Sequence, residues 1–143
     1  MLWSHYAEKH RGVCLGFDVL RASVERVQYE TNRLFAEFDE SGEPFGLSNE
    51  LRAKLRTTKC QEWAYEREWR IFVPLSDAVQ EGNLYFRWFG DDIRLAEVIV
   101  GSDCEQLEKV REDTAKYHLN ACVYKARLAF NHFKVVPLES SVP

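Results

Sequence analysis

Apolar positions along the chain fall into short runs and loose alternations rather than long helical stripes. V-C-L-G-F, residues 13–17, follows Gly12 and predicts a buried strand. A second short strand is expected over Val24–Tyr29. The run from Glu66 to Val73 predicts a third, stopped by Pro74, which cannot donate to a ladder. Turn chemistry at Glu81–Asn83 precedes L-Y-F-R-W-F, a strongly β-prone run. Gly90–Asp92 marks another turn, and Glu97–Gly101 predicts a short, fully buried strand. Ala121–Ala126 and Phe133–Leu138 are the last two strand candidates.

Helical periodicity is confined to three places. Met1–Lys9 predicts a short amphipathic helix with Trp3, Tyr6 and Ala7 apolar. Ser48 caps a second, with Glu50 at the positive end of its dipole and Leu51 and Leu55 as the apolar stripe. Ser102 and Glu105 match a capping box ahead of Cys104, Leu107, Val110, Thr114 and Tyr117, whose spacing buries one face. Asp39–Phe45 is the clearest loop. Strands outnumber helices and most are joined by turns. The expected class is therefore α+β, a mainly antiparallel twisted sheet packed by two or three helices, in a single domain over 1–143.

Composition narrows the function classes. The chain has 143 residues, 45% of them hydrophobic, enough for a real core, and a net charge of −4. That balance disfavours non-specific nucleic-acid binding, which needs clustered Lys and Arg. Four cysteines without a C-x-x-C pair argue against a structural zinc cluster and fit reduced, buried thiols in the cytoplasm. No apolar run approaches the ~20 residues needed to span a bilayer. A small-molecule or nucleotide ligand is the remaining kind of partner; oligomeric state is left open.

Two segments carry candidate chemistry. In W-A-Y-E-R-E-W-R, residues 63–70, a strand would place Glu66, Glu68 and Arg70 on one face, about 7 Å apart. Arg67, Trp69, Ile71 and Val73 would form the other face, toward the core. The first face is either an ion-pair ladder or a site in which one glutamate acts as a catalytic carboxylate. In W-S-H-Y-A-E-K-H-R-G, residues 3–12, His5 and His10 miss the H-x-x-x-H spacing of helical zinc ligands by one residue. Either Trp3 and Tyr6 anchor a helix, or His5, Tyr6, His10, Arg11 and, from the first segment, Arg70 line a ligand site. No bound metal is expected. A metal-dependent hydrolase using His5, His10 and Asp18 is the outlying option.

W-S-H-Y-A-x-x-H-R-G-V-C-L-G-F-D, W-x-Y-E-x-E-W-R and L-x-E-V-I-V-G occur in this order, and together they resemble a bacterial domain-of-unknown-function family (domain of unknown function twenty-nine seventy-one). The resemblance runs from Trp3 to about Gly101. It implies that this chain is the C-terminal part of a longer family domain, since relatives carry a further stretch ahead of W-S-H-Y. A more distant similarity to ADP-ribosyltransferases implies NAD as a substrate, Glu68 as catalytic carboxylate with Glu66 as its partner, and Tyr6 against the nicotinamide. The alternative is a non-catalytic binding or interaction module in which both motifs are structural and brace each other.

Overall fold

A computed structural model describes residues 2–35, 48–117 and 120–138. The chain forms two compact units, one of residues 1–20 with 87–143 and the other of residues 21–86. The class is α+β, as expected. The loop expected at Asp39–Phe45 lies outside the described residues.

The first unit is built on four strands: β1 (Val13–Val19), β8 (Ile93–Val100), β9 (Cys122–Leu128) and β10 (Val135–Pro137), in the order β1-β8-β9-β10. β1–β8 and β9–β10 are antiparallel, whereas β8 and β9 are parallel, joined through helix α3 (Leu107–Tyr117). The link from Gly101 to Ala121 holds the helix that parallel pairing requires, a local signal that the general expectation of antiparallel pairing passed over. Val98 and Val100 on central β8 are buried, with Leu95, Cys104, Thr114 and Ala126. β1 is an edge strand, Val13 and Leu15 are exposed, and the buried strand expected at 13–17 is corrected.

The capping box expected at Ser102 does not form. Ser102 donates its hydroxyl to Asp103 instead, and α3 begins only at Leu107. This side-chain bond to the neighbouring residue competes with capping. Helix α1 covers Leu2–Tyr6 and stops short of Lys9, because Glu8, Lys9 and His10 all take left-handed backbone conformations. Three consecutive non-glycine residues with positive φ are costly alone. Here Arg11 and Gly12 both donate backbone N–H groups to Ala7, and His10 to Trp3. The turn then docks on the end of β8: Gly101 donates to Gly12 and Asp103 to the His10 carbonyl. A Cβ on Gly101 would stand 2.1 Å from that carbonyl oxygen, so glycine is required there.

In the second unit the strands are short. β2 (Glu25–Arg26) pairs with β5 (Trp69–Arg70) antiparallel, and β3 (Gln28–Glu30) pairs with β4 (Thr58–Cys60) parallel. Val27, between β2 and β3, is buried and donates its N–H to the Glu68 carbonyl. Helix α2 (Asn49–Thr57) is capped as expected, the Ser48 hydroxyl accepting from Leu51 N–H. A hairpin of β6 (Val79–Glu81) and β7 (Leu84–Phe86) turns at Gly82 and Asn83. Gly82 has φ +61°, the conformation wanted at the first position of a two-residue hairpin loop.

Candidate functional site

The strand expected from Glu66 to Val73 is not continuous. A 3₁₀ helix (Gln61–Glu66) ends at Arg67, whose φ of 49° lies in the left-handed region, and extended structure resumes only at Trp69–Arg70. Part of the face expected toward the core lies outward: Arg67 and Trp69 are exposed, whereas Ile71 and Val73 are half-buried, as are Glu66, Glu68 and Arg70. Pleat counting failed because one left-handed residue reorients the chain between the two glutamates.

The carboxylates still converge, on cations the chain supplies itself. Lys59 of β4 donates to Glu66 Oε2 and, at 3.2 Å, to Glu68 Oε2. Arg70 holds Glu68 with two prongs, Nε to Oε1 at 2.7 Å and Nη2 to Oε2 at 3.2 Å. Its remaining nitrogen, Nη1, donates to the Arg56 carbonyl at the end of α2. Tyr29 of β3 accepts the Glu68 backbone N–H through its hydroxyl at 2.8 Å, and Lys59 lies 5.0 Å over the Trp63 ring. The Glu66 side chain is only 6% exposed, and those of Glu68 and Lys59 are 27% and 23% exposed.

These contacts set the ionisation. Hydrogen bonds from Arg70, reinforced by Lys59, hold the Glu68 carboxyl below the usual range despite partial burial. The bond to Glu66 raises the Lys59 ammonium pKa, with Glu68 acting in the same direction, and Glu68 raises that of Arg70. Two acids and two bases thus sit in one cluster with no net charge.

His5, Tyr6, His10 and Arg11 belong to the other unit. His10 stacks on Trp3 with ring centroids 5.9 Å apart, and His5 meets Tyr6 edge-on at 6.4 Å. Of the two expected anchors of the helix, Trp3 is half-buried and Tyr6 is exposed. Asp18 pairs with Arg94. Among the described residues no group of three or more His, Cys, Asp or Glu side chains is arranged to hold a metal ion, so the hydrolase option finds no donor set there.

A further polar cluster lies on the four-stranded sheet. Gly16, Glu97 and Cys122 are in register across three strands, and Cys14, Ile99 and Tyr124, two residues along, form the next row on the same face. The Tyr124 hydroxyl donates to Glu97 at 3.0 Å. Burial, then Glu97, pushes the Tyr124 phenol up to about 12, and the same two causes raise the Cys14 thiol. Gly16 leaves room for the acid: a Cβ there would lie 2.4 Å from Glu97 Cγ. Sequence reasoning missed Lys59, Tyr29 and Tyr124, which reach their partners across strands and match no local spacing. The strand register was the signal, and it is not legible before the fold. Of the four cysteines, which sequence reasoning placed in the interior, only Cys104 is buried.

Compared with known proteins, residues 2–71 match a family model described as Protein of unknown function (DUF2971). That span contains both W-S-H-Y-A-E-K-H-R-G and Y-E-R-E-W-R; the E-V-I-V-G block lies beyond it. No curated protein and no solved structure matches the chain.

Proposed function

With residues 2–71 belonging to that family of unknown function, we propose that the chain is a non-catalytic binding module in which the E-x-E-W-R segment is a structural knot. The observation that carries this reading is the engagement of both Glu68 oxygens by Arg70 and Lys59, with Glu66 on the same Lys59. A carboxylate working as a general acid is normally kept protonated by apolar surroundings or a neighbouring acid. Glu68 is driven the other way. Its two cations also occupy the oxygens that a substrate hydroxyl would need. The knot ties β3, β4, the 3₁₀ turn and β5 together, and Arg70 extends it to the end of α2.

One feature favours a second reading, that of an NAD-consuming, ADP-ribosyltransferase-like enzyme. Glu68 is ionised and about a quarter exposed, the state required of a carboxylate that stabilises an oxocarbenium-like centre. One variant separates the two. On the binding-module reading, wild type does not consume NAD, and Glu68→Gln lowers the unfolding midpoint. NAD turnover by wild type, lost in a Glu68→Gln protein of unchanged stability, overturns that reading and selects the transferase.

A further inference from the structure

The charges of the E-x-E-W-R knot are matched to one another, whereas those around one cavity of the sheet unit are not. This cavity, of about 1000 Å³, is bordered by Glu8 and Arg11 from the left-handed turn, Ser102 and Glu105 from the loop after β8, Val110 of α3 and Lys125 of β9. Lys125 donates to the Cys104 carbonyl at 3.1 Å. Among the described residues Glu8, Arg11 and Glu105 enter no ion pair and no side-chain hydrogen bond. Free charges of both signs therefore face one concavity. It lies beyond the carboxyl end of β8, beside parallel β9, the end of parallel strands at which α/β folds commonly hold ligands. Its volume is at the upper end of the range for small-molecule sites.

We propose that this cavity binds a zwitterionic small molecule of the amino-acid class, its carboxylate on Arg11 and its ammonium on Glu8 or Glu105. The proposal deepens the binding-module reading and rests on it. Three carboxylates (Glu8, Asp103, Glu105) face two cations (Arg11, Lys125) around the cavity. That balance repels the polyanionic diphosphate of a dinucleotide and favours an amino acid with a second cationic group, such as lysine.

The test is calorimetric titration of the full chain with L-lysine, L-lysinamide and NAD. L-Lysine should bind saturably. Lysinamide, which lacks the carboxylate, should bind roughly tenfold more weakly, the loss expected for one charge-assisted bond. Arg11→Ala should remove the preference for lysine over lysinamide without moving the thermal midpoint, and the double variant Glu8→Gln with Glu105→Gln should weaken both ligands. No saturable heat, equal binding of lysine and lysinamide, undiminished binding in Arg11→Ala, or NAD binding more tightly than lysine would each overturn the proposal. NAD consumption in the same preparation would instead remove the binding-module reading, so the two failures are distinguishable.

Discussion

Replacing Lys59 with methionine isolates the knot, because methionine preserves most of the packed stem and removes only the ammonium. The ammonium serves Glu66, 6% exposed, and Glu68, 27% exposed, from a side chain that is itself 23% exposed. Exposed pairs are worth about 0.2–1 kcal/mol. Removing one partner of a fully buried pair costs roughly 3–5 kcal/mol, because the remaining charge stays in low dielectric. This cluster lies between those limits, with one acid nearly sealed and the other partly wet. In the variant the two carboxylates also face each other without the cation that bridges them. The expected loss is about 2–3 kcal/mol. At about 3–4 °C per kcal/mol for a chain of this size, the thermal midpoint should fall by about 6–12 °C. Urea unfolding followed by tryptophan fluorescence reads it directly, since Lys59 sits over Trp63. A loss below about 0.5 kcal/mol, the scale of an ordinary surface substitution, would refute the reasoning.

Other predictions follow from the same contacts. Glu68 has a folded pKa below its unfolded value, so the unfolded chain binds more protons in the window between them. Its contribution is complete above the ordinary carboxylate range and is lost as pH falls through the depressed value; acid titration of wild type against Glu68→Gln should show the difference vanish at low pH. Lys59, raised, behaves oppositely: its contribution is complete below the ordinary lysine range and is lost as pH rises through the folded value. Gly16→Ala must displace Glu97 from Tyr124, costing about 1–3 kcal/mol and bringing the Tyr124 phenol down from about 12 toward its ordinary value in a spectrophotometric titration. Gly101→Ala would force the left-handed turn off the end of β8, since the nearest atoms are backbone; a loss of about 3 kcal/mol or more in chemical unfolding is expected.

The order of elements was legible in the sequence wherever local rules act. Ser48 capped its helix, Gly82 and Asn83 turned their hairpin, and the apolar run ending at Val100 supplied the central strand. Errors arose where a long-range partner or an unusual backbone decided the outcome. No sequence signal announced positive φ at Glu8, Lys9, His10 and Arg67; the turn with the first three is closed by its own backbone bonds and docked by tertiary bonds from Asp103 to His10 and from Gly101 to Gly12. The convergence of Glu66, Glu68 and Arg70 was foreseen, but for a pleat that does not exist. The cation that unites them, Lys59, lies seven residues before Glu66 on a parallel strand, out of reach of any periodicity.

A double-mutant cycle between Glu68→Gln and Arg70→Met tests most directly whether this segment is built for cohesion. Their two-pronged contact predicts a coupling of about 1–2 kcal/mol in urea unfolding, the two losses together being smaller than their sum. Additivity within about 0.3–0.5 kcal/mol would contradict the account and leave the Glu68–Arg70 contact with no structural role.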